Sequence, residues 1–313
     1  MNRIALIVFL FVAGLFPLFI KDYWLYVAII SLHYAVLSTS WAILAGQVGI
    51  ISFAHAAFAA VGAYTSALMV IKLALPIPLG IISGAFTAAL FGLGIGAMTL
   101  RMRGPYLALT TIGFSEIFRI FLTAEYELTR GSYGLKVPLI AGGDKIWMYY
   151  TGIAILILTL FTFWIILRSR IGLFLLAMRE DEDGAATRGV DTVRFRLYAF
   201  VISSAFAGLA GGFYAHVVGL VSPRMAMLSE MGLILAMSVF GGLESLLGAA
   251  LGAIVLQTLS EYLRAFTEWR LAIFGALVLF TLRFSPEGLL PRINSLFEDN
   301  WNRIVKKSGL RSG

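Results

Sequence analysis

The sequence contains no cysteine, so it holds no disulfide, no attached haem and no cysteine-bound zinc. Charge is also scarce: 13% of 313 residues, far below what a soluble chain of this length carries. There is no low-complexity region, no internal repeat and no linker long enough to separate domains. The phosphate-loop pattern G-x-x-x-x-G-K-[ST] is missing, which excludes ATP binding of that kind. H-E-x-x-H and G-x-S-x-G are missing too. His33, His55 and His216 stand far apart without carboxylates at ligand spacing. They read as packing or interfacial residues, and the expectation is no catalytic residue, no metal and no cofactor in this chain.

What is present is oil. Hydrophobic residues make up 60% and the mean hydropathy is +0.90. Apolar runs follow one another at roughly the 20 residues a helix needs to cross a bilayer. The expected class is an all-α polytopic membrane protein, one transmembrane domain over 1–313. Candidate spans are 4–20, 23–45, 49–71, 77–100, 105–124, 147–167, 197–218, 230–243, 247–261 and 271–285. The N-terminal run ends in Pro17, Lys21 and Asp22 rather than a small-residue cleavage site, so it reads as a span. The 32 glycines suit close helix packing in lipid.

The net charge of +7 and pI near 9.7 would suggest nucleic acid in a soluble chain. Here basic residues retained on one membrane side give the same excess, and no nucleic acid is expected. Arg101 and Arg103, the arginines of a central loop over 168–196, and those beyond the last span all fall on the side of Arg3 when crossings are counted. That agreement predicts ten spans, both termini cytoplasmic, and a cytoplasmic tail over 286–313.

Two segments break the apolar pattern. In "GQVGIISFAH", Gly46, Gln47, Ser52 and His55 interrupt a span; in "FGGLES", Gly241, Gly242 and Glu244 do. Interrupted helices either line a substrate path or let helices pack closely. The stretch 230–261 reads as two short helices meeting or as a re-entrant pair, facing protein rather than lipid. Glu116 and Arg119 lie three apart on one helix face. They are a polar element of a path, or an ion pair near the membrane surface; the nearby Glu125 and Glu127 favour the second. Glycines in "TRGSYGLKVP" mark turns in the largest external segment, 125–146. There Arg130, Gly131, Tyr133 and Gly134 are candidates for docking an outside partner.

The most polar stretch is "AMREDEDGAATRGVDTVRFR", residues 177–196. Acids at its start suit a helix N-terminus, Gly189 a stop, and Asp191 or Thr192 a cap for the next span. It predicts a short helix lying across the cytoplasmic face.

This region resembles the signature of the membrane subunits of branched-chain amino-acid ABC importers. Arg179, Glu180, Asp181, Glu182, Ala185, Ala186 and Gly189 match its first half; Ala199, Phe200, Ser203, Ala207, Gly208, Ala210 and Gly211 match its second. The stretches 46–68, 100–119 and 240–253 agree as well, and "LRMRGPYLA" points to the M-type subunit. The chain departs at Gly184, where a larger residue is common, at Arg194 and Arg196 in place of lysine, and at His55 in place of glutamine.

The resemblance implies a binding-protein-dependent importer in the bacterial inner membrane. A second permease subunit would complete the path. Two ATP-binding-cassette ATPase subunits would hold ATP and Mg, and a periplasmic binding protein would deliver substrate. Arg179, Glu180, Asp181, Glu182, Asp183, Ala185, Ala186 and Gly189 would then form the coupling helix that sits in an ATPase groove. Leucine, isoleucine and valine are the implied cargo. Urea, amides or aromatic acids remain open, and so does a secondary transporter without ATPase partners. Such a transporter would want more buried acids or histidines than this chain has.

Overall fold

The computed structural model describes residues 20–266 apart from 101 and 103, with isolated positions on either side. The expected spans 4–20 and 271–285 and the tail 286–313 lie outside the described residues. Between them, six helices are long and apolar enough to cross a membrane. They are α1 (Asp22–Ala42), α2 (His55–Leu73), α3 (Ile77–Met98), α4 (Pro105–Ala124), α5 (Lys145–Arg168) and, after a helical connection, α8 (Thr192–Val218). The connection holds α6 (Arg170–Glu180) and α7 (Glu182–Thr187). Last come α9 (Leu228–Gly241) and α10 (Leu246–Tyr262).

One end of the bundle carries α6, α7 and their arginines; it is called the basic face. The other carries the segment 125–144, a string of short turns that includes β1 (Leu135–Lys136). β1 pairs antiparallel with β2 (Leu220–Val221), Leu135 opposite Val221. The two faces are separated by the 27 residues of α8, about 40 Å of helix. Asp191, not Thr192, caps α8, accepting from the Arg194 amide at 3.0 Å.

The core is built on small residues. Helices in lipid gain little from burying oil against oil, so they associate through close backbone approach. On α2, α3 and α8 the contact positions are glycine: a Cβ on Gly62 would overlap the backbone of Gly208, and one on Gly84 the carbonyl oxygen of Gly62. Two hydroxyls on α1 bond back to their own helix, Thr39 to the Ala35 carbonyl at 2.7 Å and Ser31 to that of Val27 at 2.8 Å. No polar group of these side chains is thereby left facing oil.

The structure corrects one expected span. The span 49–71 becomes a helix only at His55, because Gly49 turns the chain at φ +78°. Residues 48–54 run non-helically into the bundle. Neighbouring side chains replace the missing helical bonds: Thr111 Oγ1 accepts from the Phe53 amide at 2.9 Å, Ser115 donates to the Phe53 carbonyl at 3.0 Å, and Trp41 Nε1 to that of Ser52 at 2.8 Å. Such backbone survives at membrane depth because it is enclosed by protein. Before it, α1 ends in a π-helical turn, Ile43–Gln47.

The stretch 230–261 takes a form the sequence allows, two short helices meeting. The two helices there are bent by 119° at Gly242–Ser245 and do not form two ordinary spans. Glu230, at the start of α9, accepts from the Tyr34 hydroxyl at 2.8 Å. Tyr34 lies about 18 Å down α1, so α9 begins near mid-depth. It reaches the basic face at the break, and α10 returns to the far face, where Tyr262 packs on Trp24. The pair forms a V with its tip at the basic face. Between residues 23 and 261 the described residues hold six long apolar helices and this V.

Gly62→Val is expected to destabilise the fold by more than about 3 kcal/mol, since backbone cannot yield as a side chain does. Gly94→Ala, where a Cβ meets nothing within 4 Å, leaves stability unchanged or slightly raised. Thermal unfolding of the detergent-solubilised protein, with size-exclusion profiles, separates the two.

Candidate functional site

The polar stretch is two helices rather than one. Ser169 caps α6, accepting from the Ile171 amide at 3.2 Å. Arg179 and Glu180 close α6, so the short helix does not begin at Glu180. Asp181 is extended and caps α7, accepting from the Gly184 amide at 3.0 Å. This cap explains Gly184: a Cβ there would overlap the Asp181 carboxylate. α7 then runs to Thr187, and Gly189, at φ +87°, turns the chain toward α8.

The two sides of this knob do different things. Glu180, Asp181, Asp183 and Ala186 are exposed, while Ala185 is buried. Arg179 and Glu182 reach inward. Arg179 forms an ion pair with Glu244 at the tip of the V. Glu182 pairs with Arg196 at 2.6 Å. Arg196 is only 5% exposed and also donates to the carbonyls of Leu100 at 2.8 Å and Met102 at 3.3 Å. One guanidinium thus ties α7, α8 and the connection between α3 and α4.

The tip of the V makes further contacts. Gln47 Nε2 donates to the Glu244 carbonyl at 2.9 Å. A Cβ on Gly46 would overlap the Leu243 carbonyl, and one on Gly241 that of Gly248. Gly242 turns the chain at φ +108°. A Cβ on Gly49 would sit 3.5 Å from the Arg179 side chain. Gly46, Gln47, Gly241, Gly242 and Glu244, expected along a path, therefore converge with Arg179, expected in the coupling region. An open cleft of about 620 Å³ lies beside them, walled by Gly49, Ile50, Phe53, Leu107, Met178 and Arg196.

Other expected residues lie elsewhere. Ser52 and His55 are fully buried, and neither lines this cleft. His55 Nε2 is 2.6 Å from Ser203 Oγ, which donates to the Ser40 carbonyl at 2.5 Å. Here they knit α1, α2 and α8. His33 and His216 bond the carbonyls of Ala210 at 3.0 Å and Pro138 at 2.8 Å. Among the described residues no three histidines, aspartates or glutamates come together as metal ligands. Glu116 and Arg119 pair with each other on α4, apart from the tip. At the far face Tyr133 is 82% exposed and Arg130 is exposed, whereas Gly131 and Gly134 are buried. A Cβ on Gly134 would overlap the Val221 carbonyl, so those two glycines shape the turn rather than offer a surface.

Sequence reasoning placed Arg196 only in a charge cluster. The signal that finds it is period: Arg196, Phe200, Ser203 and Ala207 form the buried stripe of α8, and a cation on that stripe needs partners.

Comparison with known proteins follows the same outline. Residues 23–282 match the family described as branched-chain amino acid transport system / permease component. The chain is similar to the high-affinity branched-chain amino acid transport system permease protein LivM of Escherichia coli, 30% identical over 93% of this chain and 75% of the relative. It is similar to the corresponding permease protein LivH of Salmonella typhimurium, at 27% over 83% and 91%. A probable LivM of Methanocaldococcus jannaschii is 24% identical over 71% of each chain. No solved structure matches.

Arg196→Met strands Glu182 and two carbonyls in a buried setting and is expected to cost about 3 kcal/mol or more. Arg179→Met breaks a partly exposed pair and shifts stability by no more than about 1 kcal/mol. Chemical denaturation followed by intrinsic fluorescence measures both.

Proposed function

The chain belongs to the permease-component family of branched-chain amino acid transport systems, and on that premise we propose that it forms, with a second permease subunit, the translocation path of an ABC importer. The basic face is cytoplasmic, as retained arginine requires, and both termini lie on that side of the bacterial inner membrane. Two ATP-binding-cassette subunits dock there and hold the ATP and Mg. A periplasmic binding protein docks on the far face near Arg130 and Tyr133. The cargo is leucine, isoleucine, valine or a related amino acid, the class named for the relatives. The chain itself does no catalysis.

One observation carries this reading: the knob formed by α6 and α7 is acidic and exposed outward, yet tied inward by two ion pairs, Arg179 at the end of α6 to Glu244 at the V tip and Glu182 of α7 to Arg196 of α8. A merely solvated loop needs no such inner wiring. In this reading Glu180, Asp183 and Ala186 contact the ATPase groove. Asp181 and Gly189 set the ends of the helix, Ala185 packs it down, and Arg179 and Glu182 carry its displacement inward. Through Arg179 and Glu244 the push reaches the V tip, and through Gln47 the end of α1. Rigid helices then rock about the tip, as alternating access needs.

The double variant Glu180→Ser with Asp183→Ser changes only the outward acids. In a complex with the ATPase subunits in proteoliposomes, amino-acid uptake is expected to fall at least about tenfold, a loss of about 1.4 kcal/mol in coupling. Membrane insertion should persist. Uptake at the unaltered rate would remove α7 from the coupling role.

A further inference from the structure

We propose that Glu116 and Arg119 on α4 form a station for a zwitterionic amino acid, an ion pair that opens to exchange its internal partner for the ammonium and carboxylate of the cargo. The inference rests on the functional reading above and deepens it.

The argument begins with position. α4 has 20 residues, about 30 Å, the thickness of the hydrocarbon core. Glu116 lies about 12 Å inside its far end. The pair is thus at membrane depth and not in the surface water that Glu125 and Glu127 suggested. Its side chains are 48% and 28% exposed. The neighbours on the same side, Leu109 and Ile120, are 65% and 53% exposed. Among the described residues, none covers this face of α4.

Such a face does not belong in lipid. A charged side chain in mid-bilayer costs about 2.5–3.5 kcal/mol, so intramembrane charges face protein or a water-filled cavity. A pair that only held two helices together would reach a second helix. This one does not: among the described residues the Arg119 guanidinium bonds only Glu116, Nε at 2.9 Å and 3.1 Å from its two oxygens.

The chemistry of the face fits one cargo class. A free aliphatic amino acid carries a carboxylate and an ammonium on one carbon, with an apolar branch. The guanidinium fork takes a carboxylate through two bonds, and the Glu116 carboxylate takes the ammonium. Leu109 and Ile120 receive the branch. Gly113, one turn before Glu116, leaves a notch, since a Cβ there would meet nothing within 4 Å. When cargo arrives the internal pair opens, and each lost bond is replaced. When it leaves the pair re-forms, so the station binds without trapping. A fatty acid or an alkylamine satisfies one partner and strands the other.

The test uses the whole importer in proteoliposomes with its own binding protein, reading leucine transported per ATP hydrolysed. E116Q with R119Q keeps shape and removes both charges; Gly113→Leu keeps the charges and fills the notch. Both are expected to assemble intact and to lower leucine per ATP at least about tenfold. Unchanged stoichiometry in both overturns the station. So does loss of the permease partner on size exclusion, which would make the face an interface. If the unaltered complex moves no amino acid at all, the functional reading fails, and the station with it.

Discussion

A chain buried in oil must bond every backbone polar group to itself, and this fold is organised by where it breaks that rule. The described helices are interrupted at 43–54, in the connection 99–104 and at 241–245, all toward one face. Each break is repaired by a side chain brought from another helix. Thr111, Ser115 and Trp41 serve the first, Arg196 the second and Gln47 the third. The repairs are long-range in sequence, so the breaks cannot move independently.

That interdependence gives the basic face its mechanical character. The charges of α6 and α7 are split between an outward acidic surface and two inward tethers. Buried Arg196 anchors the knob to the bundle, while the partly exposed Arg179 pair can break and re-form at modest cost. A firm anchor beside a weaker tether is an arrangement that can tilt without coming apart. The glycine contacts among α2, α3 and α8 supply the rigid body against which tilting is felt.

Much of this was legible in the sequence. Hydropathy gave the six long helices, since a run such as 147–167 has no other stable form in lipid. Pro105 opened α4, and Asp191 and Gly189 marked the start of α8 and the end of α7 as cap chemistry demands. The breaks at Gly46–His55 and Gly241–Glu244 were visible as polar residues in apolar runs. What could not be read was their meeting. Arg179 and Glu244 are 65 residues apart, and no periodicity links a loop cation to a distant glutamate. The start of α2 was placed six residues early because hydropathy does not register the φ of Gly49.

The central claim is that Arg179 and Glu244 act as one connection between the end of α6, where α7 begins, and the V tip. A double-mutant cycle tests it most directly, with Arg179→Gln, Glu244→Gln and the combination compared for substrate moved per ATP. If the pair transmits the push, the combined variant is no worse than either single one. If the two losses multiply, the residues act separately and the connection is refuted.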